Sequence, residues 1–192
     1  MPPKTFETFG HHNPVEDDEA IVALAKSCQT FETMNDRNGW VPAIAVEIGV
    51  WMGSTTLLLS NLGFRVFAVD HWKASEGDDL LVRAEAIGQT RLFQTFCSNM
   101  GSRLYHNVFP LIGASSVIAS SWPTDLKINF LLIDGDHTYN GCLADINNYT
   151  PLMAPRGIVA IHDYGVFPGV NQAVQETGPF EIAGWSVAWR KV

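Results

Sequence analysis

The stretch from Ala43 to Ser60, AIAVEIGVWMGSTTLLLS, constrains the fold more than any other part of the chain. It begins with a short apolar run that contains β-branched residues, which predicts a buried strand. Gly49 and Gly53 follow four residues apart, and glycine permits sharp turns and close backbone approach. Ser54 then offers an N-cap for a helix through the leucines at 57–59. A strand, a glycine turn and a helix N-terminus together predict a ligand crevice.

The charges around this turn indicate which ligand the crevice accepts. The spacing is G-x-x-x-G, unlike the dinucleotide fingerprint G-x-G-x-x-G, and no Lys follows as in a phosphate-binding loop. Glu47 would repel a pyrophosphate but suits an ammonium or sulfonium group. A second predicted strand, 65–69, ends at Asp70, where a carboxylate can bind a ribose diol. A cationic ligand that carries adenosine is S-adenosylmethionine, so Glu47, Gly49, Gly53 and Asp70 resemble the class I methyltransferases. The alternative is a glycine turn that serves only helix packing in another α/β protein.

Composition limits the classes of partner and setting. The chain has 192 residues, of which 46% are hydrophobic and 17% charged, as in a single globular domain with a substantial core. Its net charge of −8 argues against non-specific binding to nucleic acid or anionic membranes. Three cysteines without a C-x-x-C motif, and no signal pattern, lead us to expect a reduced, cytoplasmic setting. We expect an N-terminal arm over 1–15 and one domain over 16–192.

Strand and helix patterns alternate along the chain. This order predicts an α/β protein with a mainly parallel sheet covered by helices on both faces. With the resemblance above, we expect one Rossmann-like methyltransferase fold, with a seven-stranded sheet and an antiparallel hairpin at its edge. The predicted helices after the arm are 16–34, one from 54, 80–100, 141–152 and 167–176, and the predicted strands are 43–48, 65–69, 105–112, 127–133, 157–161, 179–183 and 185–190.

Two later strands end in polar clusters. Asp134, Asp136 and His137 follow the strand at 127–133, and His162 and Asp163 follow the strand at 157–161. Because parallel strands end at one edge of the sheet, these clusters should lie beside the glycine turn. Carboxylates suit Mg²⁺ or another hard divalent ion, whereas imidazole shifts the preference towards transition metals. Such an ion would lower the pKa of an acceptor hydroxyl, and a histidine could take the proton.

The motifs L-L-I-D-G-D-H-T-Y and P-R-G-I-V-A-I-H-D-Y sharpen the resemblance. Residues 46–164 resemble a branch of small-molecule O-methyltransferases that includes macrolide sugar O-methyltransferases and cephalosporin-hydroxylase-like proteins. They are more distantly similar to catechol and caffeoyl-CoA O-methyltransferases. The resemblance implies that Asp134, His162 and Asp163 hold a divalent metal. It also implies that His137 or Asp136 is the catalytic base. The usual pair in place of His162-Asp163 is Asp-Asn, Asp-Asp or Glu-Asp, so His162 departs from the pattern.

Structural alternatives exist for several of these residues. The resemblance implies that Ser115 contacts the adenine, and Asp134 lies close enough to the crevice to help bind the cofactor. His137 could instead cap a helix. Trp72 could pack against a ligand or simply cap the loop. Asp145 falls in a predicted helix, where a solvated or capping role is expected.

The expected function is therefore an S-adenosylmethionine-dependent methyltransferase that methylates a hydroxyl group of a small metabolite with the help of a divalent metal. One alternative is a metal-dependent hydroxylase-like enzyme on the same scaffold. Another is a non-catalytic module that binds S-adenosylmethionine and regulates a partner. We expect no nucleic acid or membrane partner. Selection of the substrate would fall to the N-terminal arm, the loop after Asp70, or a second subunit of a homodimer.

Overall fold

The computed structural model describes residues 13–29, 34–35, 39–40, 42–73 and 85–192. Residues 1–12 of the predicted arm, the helix end at 30–33 and the segment at 74–84 lie outside this part. The helices are α1 (Val15–Gln29), α2 (Ser54–Asn61), α3 (Gln89–Met100), α4 (Ser115–Ser120), α5 (Tyr139–Tyr149) and α6 (Pro168–Glu176). The strands are β1 (Met34–Asn35), β2 (Gly39–Trp40), β3 (Ile44–Ile48), β4 (Arg65–Asp70), β5 (Val108–Ile112), β6 (Ile128–Ile133), β7 (Met153–Ile161), β8 (Glu181–Ala183) and β9 (Val187–Lys191).

Seven strands form one sheet, as predicted, and their order is β5-β4-β3-β6-β7-β9-β8. Strands β3 to β7 run parallel, and β9 and β8 add an antiparallel pair at one edge. Strand β5, which contains Pro110, lies at the other edge, where proline costs no hydrogen bond of the ladder. The chain runs outwards from β3 to β5 and then crosses to β6. The crevice at such a reversal, beyond the carboxyl ends of the strands, is where ligands bind in open α/β sheets.

The register aligns the ends of the four central strands. Ile48 of β3 pairs with Val69 of β4 on one side and with Ile133 of β6 on the other. Ile133 in turn pairs with Ile161 of β7. The residues that come next in each strand are therefore placed side by side along one edge of the sheet. They are Gly49, Asp70, Asp134 and His162.

Side chains of the central strands alternate between two cores, one on each face of the sheet. All five residues of β3 are buried, as expected for a strand covered on both sides. One face packs against α1, α2 and α3, with residues such as Leu24, Leu59 and Phe96. The other face packs against α4, α5 and α6, and includes Ile146 and Val174. This double cover fixes the strand ends from which the polar residues project.

Several predicted helix limits differ from the structure, including α5, which was predicted over 141–152 and spans Tyr139–Tyr149. The helix predicted to run to Met34 is described over Val15–Gln29, and it does not reach Met34, which belongs to the short pair β1–β2. The helix predicted over 80–100 is interrupted at Gly88, whose φ of 84° is unfavourable for other residues, and α3 begins at Gln89. Helix α1 begins at Val15, one residue before the predicted domain boundary. Within the described residues, no helix has both the length and the apolar character needed to cross a membrane.

Candidate active site

A cavity of about 630 Å³ opens at the aligned strand ends. This volume is typical of sites for cofactors and small molecules. Among the described residues, the acidic groups that line it are Glu47, Asp70, Asp134, Asp136, Asp145 and Asp163, and no Lys or Arg lines it. Gly49, Ser54, Ser115 and His137 also line the cavity. The structure therefore brings the predicted acids to one strongly acidic cavity, which favours a cationic ligand over a phosphate.

Gly49 allows the loop after β3 to touch the loop after β6. Its φ is 82°, and a Cβ at this position would overlap the backbone carbonyl oxygen of Asp134. The Gly49 N–H donates to the carbonyl of Val69, and the Asp134 N–H donates to the carbonyl of Ile48. Glycine is required here for both the left-handed backbone and the close approach. The contact holds the cofactor side and the Asp134 side of the cavity together.

Asp70 holds the glycine loop as well as facing the cavity. Its Oδ2 accepts hydrogen bonds from the N–H groups of Val50 (2.8 Å) and Trp51 (2.9 Å), and its Oδ1 accepts one from Trp72 N–H (2.6 Å). A carboxylate has about four acceptor positions, so it can still receive a hydroxyl donor. The glycine loop after β3 thus holds Asp70 in place, and Asp70 is predicted to bind the same ligand as this loop.

Glu47 is a buried carboxyl group at the base of the cavity. Only 2% of its surface is exposed, and it accepts a hydrogen bond from the hydroxyl of Thr56 (2.5 Å). Burial, reinforced by the charges of Asp134 and Asp70, holds the pKa of Glu47 well above its usual range. A cation that entered the cavity would favour the ionised form. Glu47 therefore fits a role beside an ammonium or sulfonium group.

Asp134, His162 and Asp163 form a cluster with metal-ligand geometry. One donor atom from each lies within 4.8 Å of the others. The Nδ1 atom of His162 is 3.3 Å from Oδ1 of Asp134 and 3.2 Å from Oδ1 of Asp163. Two ligands at right angles, each about 2.1 Å from a metal, are separated by about 3.0 Å. Both ring nitrogens of the buried His162 lack a hydrogen-bond partner among the described residues, and Nδ1 faces the two carboxylates, so this donor set fits a divalent cation.

The histidines and carboxylates of this cluster shift one another's pKa values. Burial lowers the pKa of His162, but attraction to Asp134 and Asp163 outweighs it and raises the pKa to about 11. The same two carboxylates raise the pKa of His137 to about 10 against the effect of burial. Burial favours the neutral forms of Asp134 and Asp163, yet the histidines hold both pKa values below the ordinary range. The carboxylates are thus kept ionised and His162 protonated at neutral pH, so a metal that bound here would displace a proton from His162.

His137 lies beside the same cluster on the cavity side. Its Nε2 is 3.2 Å from Oδ2 of Asp163 and 3.8 Å from Oδ1 of Asp134. Its ring stacks on Phe167 with a centroid distance of 4.2 Å, which fixes the plane of the imidazole. Asp136 also lines the cavity, and its Oδ1 accepts the N–H of Thr138 (2.8 Å) just before α5. The structure places both base candidates at the cavity.

Ser115 begins α4 and lines the cavity, and its hydroxyl donates to Oδ1 of Asp145 (2.5 Å). The solvated or capping role expected for Asp145 is wrong, since the residue is only 3% exposed and lines the cavity. Burial, reinforced by the charge of Asp136, raises the pKa of Asp145 to about 6, although the bond from Ser115 opposes the shift. The signal that identifies it is spacing, because residues 142, 145, 146 and 149 form the buried stripe of α5.

Two predicted details of the glycine turn differ from the structure. Gly53 does not line the cavity; a Cβ there would meet Phe96 and Met100 of α3, so this glycine serves helix packing. Gly53 itself, with a φ of 87°, is the N-cap of α2, and no side chain caps that helix. Trp72 lines the cavity but is only 2% exposed and packs on Phe93 and Phe96, which agrees with the alternative that it caps the loop.

Sequence reasoning missed Asp17 of α1, which is completely buried behind His162. Its Oδ2 lies 3.5 Å from Nε2 of His162. Asp17 falls in line with the buried Ile21, Leu24 and Cys28 at helical spacing, so it occupies an apolar stripe as Asp145 does. An acidic residue within such a stripe is the signal that could have found both.

A family model described as "Methyltransferase domain" matches residues 46–164 of the chain. Among curated proteins, the chain is similar to "Uncharacterized protein y4gI" of Sinorhizobium fredii, with 28% identity over 133 residues. The match covers 64% of this chain and 13% of that protein, so the chain spans about an eighth of that relative's length.

Solved structures share the fold at low sequence identity. The O-methyltransferase NovP has a TM-score of 0.69 at 19% identity, over 92% of this chain and 79% of that one. CalS11, a TDP-rhamnose 3'-O-methyltransferase, has a TM-score of 0.62 at 17% identity, over 100% and 88%. The spermidine synthase of Thermotoga maritima has a TM-score of 0.52 at 12% identity, over 92% and 59%. At these identities the fold is shared, and the reaction must be argued from the site.

Proposed function

Since the chain belongs to the methyltransferase-domain family, whose methyl donor is S-adenosylmethionine, we propose that it methylates a hydroxyl group of a small metabolite, such as a sugar or secondary metabolite. The observation that carries the proposal is the cavity itself. Its described lining contains six carboxyl groups and no Lys or Arg, and it lies at the carboxyl ends of four aligned parallel strands. Such a cavity suits a cationic sulfonium donor and repels phosphates.

The cofactor would lie across the loops that follow β3, β4 and β5. Asp70, fixed by three backbone N–H groups, would accept the ribose hydroxyls through its remaining lone pairs. Glu47 would face the ammonium group at the methionine end, with Gly49 and Ser54 along the backbone and Asp134 beside them. Ser115 would meet the adenine. This assignment uses every predicted cofactor residue except Gly53, which packs against α3.

Asp134, His162 and Asp163 would hold a divalent metal at the far side of the methionine end. When bound, the metal would act as a Lewis acid that lowers the pKa of an acceptor hydroxyl. The residues of the chain orient the acceptor and exclude water, while Phe167 holds the plane of the His137 ring. Positioning supplies much of the rate enhancement in a displacement of this kind.

In the proposed reaction, the acceptor oxygen attacks the methyl carbon of the sulfonium. The O–C bond forms as the C–S bond breaks, S-adenosylhomocysteine leaves, and the hydroxyl proton passes to a base. We assign the base to His137, because its Nε2 lies at the carboxylates where the acceptor would bind. A bound cation would oppose the raised pKa of His137 by neutralising those carboxylates. Asp136 is the second candidate, and comparison of the two alanine variants separates them.

Calorimetric titration with S-adenosylhomocysteine tests the cofactor assignment. We expect saturable binding at one site, and no binding to protein shown to be folded would contradict the proposal. Incubation with hydroxylated metabolites and a labelled methyl donor, read by product mass, tests the reaction. An increase of about 14 Da identifies methylation, whereas about 16 Da would identify the hydroxylase-like alternative. Cofactor binding without any product across the panel would favour the regulatory module.

The metal is tested in the same assay by removal and return. We expect EDTA to abolish methyl transfer and a divalent ion in excess to restore it. Turnover that EDTA leaves unchanged would remove the metal from the proposal while leaving the methyl donor in place. Parallel titrations of S-adenosylhomocysteine, with and without EDTA, show whether the chelator acts on the cofactor site.

A further inference from the structure

Asp17 connects the first turn of α1 to two distant parts of the chain. Its Oδ1 accepts hydrogen bonds from the N–H groups of Trp185 (2.6 Å) and Ser186 (2.9 Å), and its Oδ2 accepts one from the Ser186 hydroxyl (2.8 Å). A Cβ on Gly184 would come within 2.5 Å of Asp17 Oδ1, so glycine is needed for this approach. The loop between β8 and β9 thus wraps one buried carboxylate.

The same carboxylate faces the back of the candidate metal site. Asp17 Oδ2 lies 3.5 Å from Nε2 of His162, while Nδ1 of that ring is within 3.3 Å of Asp134 and Asp163. His162 is 4% exposed, and its enclosed ring directs Nε2 at Asp17 and Nδ1 at both Asp134 and Asp163, with neither nitrogen forming a hydrogen bond to any described residue. A neutral imidazole carries one N–H, and the nitrogen that lacks it is the metal ligand.

We propose that Asp17 is a positioning residue that holds the proton of His162 on Nε2 and so presents the Nδ1 lone pair to a metal bound with Asp134 and Asp163. This inference rests on the metal site of the proposed function. A carboxylate behind a ligating histidine fixes its tautomer and ring orientation and raises its basicity. One imidazole and two carboxylates favour first-row transition ions such as Mn²⁺ over Mg²⁺. His162, which stands where the resembling enzymes usually have an acidic residue, thus has a carboxylate partner on α1.

The competing explanation is that Asp17 only fastens the β8–β9 loop to α1. Asp17→Asn separates the two roles. The amide oxygen can still accept the N–H groups of Trp185 and Ser186, whereas the amide nitrogen cannot accept a proton from His162. Ser186→Ala is the complementary control, because it removes one bond to the same carboxylate and leaves the acceptor facing His162. Glu19→Gln makes the same charge change on the exposed face of α1.

The experiment titrates Mn²⁺ into the full chain by calorimetry and examines the bound ion by pulsed electron paramagnetic resonance for coupling to an imidazole ¹⁴N. We expect ¹⁴N coupling in the unaltered protein and its loss in His162→Asp. We expect Asp17→Asn to weaken Mn²⁺ binding 10- to 100-fold, the range found for partners of ligating histidines. Ser186→Ala should lower the thermal midpoint without changing Mn²⁺ affinity, and Glu19→Gln should change neither.

An Mn²⁺ affinity of Asp17→Asn within threefold of the unaltered protein would overturn the inference. The inference would also be overturned if Ser186→Ala weakened Mn²⁺ binding as well, and if the loss of affinity in both variants followed the fall in their thermal midpoints. If Asp17→Asn does not fold, the ¹⁵N NMR spectrum of the unaltered protein with Zn²⁺ shows which ring nitrogen of His162 carries the proton. A proton on Nε2 is expected, and a proton on Nδ1 would contradict the inference. Failure of the unaltered protein to bind Mn²⁺ would overturn both this inference and the metal site, while S-adenosylhomocysteine binding in the same samples judges the methyltransferase proposal separately.

Discussion

Replacement of Asp145 by Asn should change how the stability of the protein depends on pH. Asp145 is buried at the base of the cavity, and its pKa is raised from 3.8 to about 6. The folded state therefore holds this proton more tightly than the unfolded state does. Stability falls wherever the folded state binds more protons, so the aspartate costs stability as pH rises from about 4 through 6. Asparagine can still accept the Ser115 hydroxyl, but it has no proton to lose.

The rise in the pKa of Asp145 from 3.8 to about 6 corresponds to a loss of about 3 kcal/mol in the free energy of unfolding at high pH. About 2 kcal/mol of this develops between pH 4.5 and 8, the range that is practical for unfolding experiments. Urea unfolding of the two proteins across this range measures it. We expect the unaltered protein to lose about 2 kcal/mol relative to Asp145→Asn as pH rises. The comparison removes contributions from Glu47 and the histidine cluster, which both proteins share.

Asp125→Asn is the matched control, since Asp125 lies on an exposed loop and makes the same change of charge. Its stability should follow the unaltered protein at every pH. A difference between Asp145→Asn and the unaltered protein that stays constant within about 0.5 kcal/mol would refute the reasoning, because a burial effect must depend on pH. A difference that changes in the opposite direction would also refute it.

Three further substitutions test the site. Gly49→Ala should abolish S-adenosylhomocysteine binding in calorimetry, because a Cβ would overlap the Asp134 carbonyl; Gly63→Ala, with similar φ but open space around the Cβ, should bind normally. Asp70→Asn should weaken that binding at least tenfold, since an amide has one acceptor oxygen for the glycine loop and the ribose; unchanged affinity would remove the assigned role. His137→Ala should slow turnover at least tenfold, about 1.4 kcal/mol of barrier, and a smaller loss would exclude it as the base.

The sheet and its acidic edge could be predicted from the spacing of apolar residues along the chain and from the polar residues that follow the strands. Apolar runs of strand length alternate with helical stripes, and a polar residue follows three of these runs, at Asp70, Asp134 and His162. Parallel register then brings Asp70, Asp134 and His162 together without further assumptions. The seven-stranded, mainly parallel sheet with its antiparallel edge hairpin is confirmed.

The partners of Asp17 and Asp145 could not be identified from the sequence, because both are distant along the chain. Asp17 is held by a loop more than 160 residues away, and Asp145 by Ser115, 30 residues away. Acidic residues near a helix start or within a helix are usually solvated or interact with the helix dipole. Asp17 and Asp145 differ because each lies on the buried face of its helix. Gly53 was likewise assigned to the ligand, whereas its contact is with α3, which no local pattern encodes.

The crystal structure of the protein with S-adenosylhomocysteine and Mn²⁺ tests the central claim most directly. We expect the ribose hydroxyls at Asp70, the amino group near Glu47, the adenine beside Ser115, and the ion between Asp134, His162 and Asp163. A nucleoside bound away from the carboxyl ends of β3 and β4, or with its ribose directed at the metal ligands, would contradict this account.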